Sequence, residues 1–342
     1  MKNSVETDLP IKERLALNTE VIANLATIAG FFHDIGKSNQ LFQRKLDIDR
    51  QDPISEPLRH EWISLRLFQA FVGQQTDQQW LSKLVEINNS AEDELLEALL
   101  SYRDLLTTDI PCPLTHLPPI ASTVGWLIVS HHKLPQYPFG LDNPPDLAAI
   151  NQWQSIFEPC WNSPQVMSEE WSESDIAKNW SFPVGTPFKS AFWQNHVSCL
   201  AKEVLGCQRL FESEWQANLS TKHLARLSLM LADHAESSRK DVENNLSDRN
   251  YRAYANTDID EHGQRYQKQK LDEHNIRVGE WAYKIARDLP GLRDCLKKLD
   301  RVKALEKPVP SKFKSEFGWQ DRATELAGKI KDQTKTHGFF GI

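Results

Sequence analysis

The sequence contains no Cys-x-x-Cys pair. Its cysteines, Cys112, Cys160, Cys199, Cys207 and Cys295, stand singly, which argues against a zinc knuckle and a secreted disulfide framework and leaves them as reduced thiols. No apolar run approaches the roughly 20 residues of a membrane-spanning helix, and the first eight residues hold no apolar signal region. A cytoplasmic protein without a membrane partner is therefore expected. Excess positive charge is missing too: 40 Lys and Arg stand against 47 Asp and Glu, a net charge of -7. There is no global electrostatic argument for nucleic-acid binding, although a cleft holding divalent cations attracts phosphate whatever the distant surface carries. Alternating strand patterns are almost absent before residue 310. A phosphate loop is lacking as well, because five residues separate Gly30 from Gly36 where that motif needs four, and the preceding segment has helical period.

What is present is helix and bulky core material, with 11 Trp and 15 Phe in 342 residues. Length alone allows two or three domains, or one large helical domain. Between Ile11 and Phe32, Leu15, Val21, Ile22, Leu25, Ile28 and Phe32 recur at three- and four-residue spacings, as the inward face of a helix requires. Further helices are expected at 39–46, 57–72, 76–88, 91–106, 120–130, 187–215 and 221–237. Prolines 111, 113, 118 and 119 break the chain before the 120–130 segment. Residues 135–185, rich in Pro, Asn, Trp and Ser, read as an irregular insertion with short helices and no catalytic residue. The reading is all-α, a bundle whose helices deliver ligands to one inner site. Near residue 306 the composition shifts: Lys307-Pro-Val-Pro-Ser311 reads as a linker.

The chemistry gathers at helix ends. His33-Asp34, closing the first apolar helix, offers an imidazole and a carboxylate whose two oxygens can bridge two cations. His60 in Leu-Arg-His-Glu-Trp, His131-His132 after an apolar run, and Asp233 in Leu-Ala-Asp-His-Ala recur downstream in similar surroundings. Four imidazoles and two carboxylates are enough for two metal ions when water completes the shells. Six such groups left unpaired in an apolar core would each cost several kcal/mol, so a purely structural role is disfavoured. His234 points about 100° away from Asp233 on a helix. His116, His196, His223 and His262 have no partner pattern and read as structural, and no chemistry is assigned to His274.

The ordered set His33-Asp34, Gly36-Lys37, His60, His131-His132, Asp233 resembles the HD-type nuclease domain of the CRISPR-associated helicase-nuclease family. The strings Arg59-His-Glu-Trp-Ile-Ser64, Ala253-Tyr-Ala-Asn-Thr257 and Gln269-Lys-Leu-Asp-Glu-His274 resemble its type I-F branch. Phe317-Gly-Trp-Gln320 is similar to the adenine-reading segment that precedes a helicase core, and His337 to Ile342 to the strand that leads into a nucleotide loop. The resemblance implies an HD helical bundle over 1–305, then a linker and the first elements of a RecA-like helicase domain over 306–342. Gln320 would read a nucleotide base in that helicase, and this chain alone would hydrolyse no ATP.

By the same resemblance, Asp34 bridges two divalent transition-metal ions, with Fe, Mn, Co and Ni all compatible. His33 and Asp233 hold the first ion, and His60, His131 and His132 hold the second. Lys37 meets a phosphate oxygen as a point charge. The family has a further His upstream of its His-Asp pair, where this chain has Asn18 as the candidate replacement ligand. The implied activity is hydrolysis of single-stranded DNA in antiviral defence. The implied partners are an RNA-guided CRISPR surveillance complex, the helicase part of the same protein and the CRISPR adaptation integrase. An HD phosphohydrolase acting on nucleotides, or a degenerate HD module that only docks partners, are the alternatives.

Overall fold

The computed structural model describes residues 11–50, 54, 56–105, 113–133, 171–240, 242 and 244–291. The chain separates into a unit Met1–Pro290 and a unit Gly291–Ile342. The second, Gly291 apart, lies outside the described residues, and with it the expected linker, the junction at 305/306 and Gln320.

The described residues form α1 (Ile11–Phe32), α2 (Gln40–Lys45), α3 (His60–Val72), α4 (Asp77–Val85), α5 (Ala91–Leu99), α6 (Pro119–Ser130), α7 (Glu173–Asn179), α8 (Ala191–Gly206), α9 (Leu219–Ser237) and α10 (Leu271–Asp288). The all-α expectation holds with one addition, a hairpin of β1 (Thr257–Ile259) and β2 (Arg265–Gln267) paired antiparallel with Asp258 opposite Tyr266. Three-residue strands are too short for an alternating pattern to register in sequence.

α1 is the axis of the unit. Every residue from Val21 to Phe32 is buried, because the segment is apolar on all sides and other helices cover it on all sides. α10, α9 and α6 pack along it, and Phe32 meets Phe68 of α3 edge-on at 4.9 Å and Trp193 of α8 at 5.8 Å. The approach of α1 to α10 is set by two glycines: a Cβ on Gly30 would lie 2.6 Å from the Gly279 Cα, so the backbones meet where any side chain would hold them apart. The apolar periodicity does not pick out α10, whose buried face mixes Leu271, Val278, Ala282 and Ala286 with Asp272, His274, Asn275 and Gly279.

Local signals fix the ends. Asn39 caps α2 by accepting from the Leu41 and Phe42 amides at 2.9 and 3.0 Å. Thr76 and Gln79 form a reciprocal capping box at the start of α4. α3 is anchored by a buried pair in which Arg66 donates to Asp104 at 3.0 and 2.6 Å while the Trp62 indole donates at 2.6 Å. The expected helix over 187–215 resolves into α8 flanked by short 3-10 turns.

Candidate metal centre

α1 ends at Phe32, and His33 follows with its amide still donating to Ala29 O at 2.8 Å. Asp34 then leaves helical geometry and opens a 3-10 turn over Ile35–Ser38. Gly36 permits that turn to lie against the start of α3: a Cβ there would sit 2.3 Å from the His60 carbonyl oxygen, and the Gly36 amide donates to Ser64 Oγ at 2.8 Å. His60 is the first residue of α3 and His131 closes α6. Asp233 faces inward from α9, and His274 from α10.

These side chains divide into two groups that share one carboxylate. Asp34, His60, His131 and His132 form one; His33, Asp34, Asp233 and His274 form the other, and within each the facing atoms lie within 4.8 Å of one another. Asp34 Oδ1 is 3.2 Å from His60 Nε2 and 3.7 Å from His131 Nε2. Its other oxygen, Oδ2, is 3.3 Å from His33 Nε2 and 3.4 Å from His274 Nε2. Asp233 Oδ1 faces the second pair, 3.8 Å from His33 and 3.4 Å from His274, and Ser237 Oγ steadies it by donating at 3.2 Å.

The donor set fits metal ions. His33 Nδ1 donates to Gly30 O at 2.8 Å and His131 Nδ1 to Ile128 O at 2.6 Å. A carbonyl can only accept, so both tautomers are fixed, and in the neutral rings Nε2 carries a lone pair. Those lone pairs face carboxylate oxygens, an arrangement that needs positive charge between them. His33 Nε2, His60 Nε2, His131 Nε2, both nitrogens of His274 and Asp34 Oδ1 are buried without a hydrogen-bond partner. Unsatisfied buried groups cost about 1–3 kcal/mol each, and a divalent cation in each group would satisfy them together. Fully buried Glu61 lies beside the first group, with Oε2 3.3 Å from His60 Nδ1 and Oε1 3.0 Å from Arg59, where a carboxylate behind a ligand imidazole belongs.

Electrostatics agree. Burial would raise Asp34, but His33 and Lys37 outweigh it and hold its carboxyl well below the usual range. Asp233 is likewise lowered, against burial, by His274 and His33. Burial and the neighbouring His132 keep His131 well below its ordinary value, while burial and His60 bring His132 to about 4. Ionised carboxylates and neutral imidazoles are the forms that bind metal. Burial opposes charge on His33, yet Asp34 and Asp233 raise it to about 10; the two carboxylates call for a cation at this nitrogen, whether proton or metal.

Of the residues singled out in the sequence, His33, Asp34, His60, His131, His132 and Asp233 converge. Lys37 reaches the centre: it is buried, with Nζ 2.5 Å from Asp34 Oδ2. Asn18 does not converge. α1 runs unbroken from Ile11 to Phe32, so at 1.5 Å per residue Asn18 lies about 22 Å along the axis from His33. His274, missed in the sequence because its neighbours are polar, completes the group of His33, Asp34 and Asp233; the Gln269–His274 string is its one signal. His234 is exposed, and among the described residues neither group includes any further histidine.

No protein-family profile matches the chain. It is 40% identical over 331 residues, 95% of its own length, to a protein of Pectobacterium atrosepticum named CRISPR-associated nuclease/helicase Cas3 subtype I-F/YPEST. A protein of the same name from Pseudomonas aeruginosa is 36% identical over 329 residues, again 95% of this chain. The chain spans 29% of the length of each of these curated relatives.

Proposed function

We propose that this chain, a homologue of part of the Cas3 nuclease/helicases of subtype I-F/YPEST, is a metal-dependent nuclease that hydrolyses phosphodiester bonds of single-stranded DNA. The observation that carries the reading is the division of the Asp34 carboxylate, one oxygen toward each group of imidazoles. Asp34 would bridge two divalent transition-metal ions, His33, Asp233 and His274 would hold one, and His60, His131 and His132 the other. Such ions supply Lewis acidity and a hydroxide nucleophile at neutral pH.

The protein's own part is to bind and orient. The Gly30 and Ile128 carbonyls hold the His33 and His131 rings with Nε2 inward. Glu61 backs His60. Lys37, buried against Asp34, would meet a non-bridging phosphate oxygen of a strand lying in the centre. His132, exposed while His131 is buried, marks the side from which that strand arrives.

The wider assignment follows the relatives. Residues 1–305 would be the nuclease domain and 306–342 the start of a helicase part, with Gln320 in its base-reading segment. The chain would work in CRISPR interference in the cytoplasm, beside an RNA-guided surveillance complex, the helicase and the adaptation integrase. No helix among the described residues is long and apolar enough to cross a membrane.

The test is degradation of circular single-stranded DNA by metal-stripped protein with Mn²⁺, Co²⁺, Ni²⁺ or Mg²⁺ restored, against Asp34→Ala. Cleavage that returns with a transition metal and is lost in the variant is expected. Full cleavage by a folded Asp34→Ala chain would overturn the assignment, and no cleavage with any metal would favour a docking module.

A further inference from the structure

α9 carries more than Asp233. From Leu219 to Ala232 it holds Lys222, His223 and Arg226 and no carboxylate, and α6 beside it carries no charged residue at all. In a chain with net charge -7, this is a local surplus of positive charge leading to the metal centre. Helical geometry fixes the direction: at 100° per residue Lys222 and Arg226 lie within about 20° of the Asp233 azimuth, on either side, roughly 16 and 10 Å before it along the axis.

Arg226 and His223 are held against α6. Arg226 is half-buried and donates to Ser130 O from Nε at 2.8 Å and from a terminal nitrogen at 2.6 Å. It therefore caps the end of α6 immediately before His131-His132, and its other terminal nitrogen is turned to neither bond. His223 is exposed and meets the Trp126 ring of α6 edge-on at 5.8 Å, so α6 and α9 run side by side toward the histidines. Among the described residues Lys222 and Arg226 have no carboxylate partner, and burial alone lowers both from their usual values with nothing acidic to offset it. Half-buried cations without counter-charge are poised for an anion.

We infer that Lys222 and Arg226 form a phosphate track on α9 that grips the backbone of a single nucleic-acid strand beside its scissile bond, an inference that rests on the nuclease reading. Arg226 does two things at once, tying the α6 end that bears His131 and His132 to α9 and offering its remaining N–H groups to a phosphate. Lys222, one turn further out, takes another phosphate. The track grips only the sugar-phosphate backbone, so it is indifferent to base sequence.

The experiment measures binding of a fluorescent phosphorothioate oligothymidylate to the Mn²⁺-loaded full chain across a salt series. Wild type is compared with Lys222→Ala, Lys222→Glu and Arg226→Lys, and with Lys202→Ala at an exposed position of α8 as control. Removing one cation from the backbone should flatten the slope of log affinity against log salt by about 0.7. Lys222→Ala should show one such step, Lys222→Glu should weaken binding further, and the control should match wild type. Lys222 is half-buried and outside the α6 cap, so Lys222→Glu keeps the test open if the Arg226 variant folds poorly.

Unchanged affinity and slope in a folded Lys222→Glu chain would overturn the track, as would a wild-type chain that binds no oligonucleotide. Cleavage of circular single-stranded DNA, read in parallel, separates the two ideas. Binding abolished at Lys222 without any wild-type cleavage would support the track and sink the nuclease reading; cleavage with unaltered binding would sink the track alone.

Discussion

Asp34 faces four imidazoles with two oxygens, and at the scale of single residues the centre depends on which histidine answers which oxygen. His274→Ala should lower the metal content of the loaded chain by one equivalent in elemental analysis, and His60→Ala should remove the other. Each should cut nuclease activity by at least the roughly 10- to 100-fold seen when even outer partners of a metal are disturbed. A folded His274→Ala chain that keeps both equivalents would remove His274 from the ligand set. Residue by residue, legibility in the sequence follows the neighbours. His33-Asp34 and His131-His132 stand out because apolar helices end on them, whereas His274 sits in a helix whose buried face is half polar and gives no such contrast. Asn18 misleads for a different reason: the apolar spacing already puts it on the same helix as Phe32, and the rise of that continuous helix carries it far from His33-Asp34.

Among elements, packing that tolerates no extra atom holds the ligands in place. The turn after Asp34 touches the first turn of α3 through Gly36, whose added Cβ would meet the His60 carbonyl oxygen and the Ser64 amide at 2.3 and 2.7 Å. Both are backbone atoms and cannot swing aside. Gly36→Ala should therefore destabilise the chain by about 1–3 kcal/mol, the usual cost of overpacking. It should also weaken metal binding in the group containing His60 more than in the group containing His274, read by melting and by metal titration. Equal affinity at both groups with unchanged melting would show that α3 shifts freely. Element existence is legible where apolar spacing is regular, as in α1, α3, α6 and α9. It is not legible for α10, which meets α1 backbone to backbone at Gly279, a residue whose value lies in close approach, and whose buried face includes the small Ala282 and Ala286. The β1–β2 hairpin escapes because none of its residues is buried, which leaves no buried alternation to read.

Across the unit Met1–Pro290, five helices converge on the centre, so a bound metal would cross-link segments far apart in sequence. A ligand at a hundred times its dissociation constant stabilises a fold by about 2.7 kcal/mol. Mn²⁺ or Co²⁺ should accordingly raise the melting temperature by several degrees and a chelator should reverse it, with Asp34→Ala showing no metal-dependent shift. An identical melting temperature with and without metal would mean that no ion binds there.

The spread of the ligands from position 33 to position 274 also bears on when the activity can exist at all. During synthesis the His33-Asp34 pair emerges before the other ligands, and α9 and α10, which bring Asp233 and His274 to it, leave the ribosome last of the described helices. A chain interrupted before α10 holds an incomplete ligand set and cannot close the second group. On the nuclease reading, a centre scattered in this way would be switched on by completion of its own folding, so that unfinished or truncated chains would be harmless to the host's DNA.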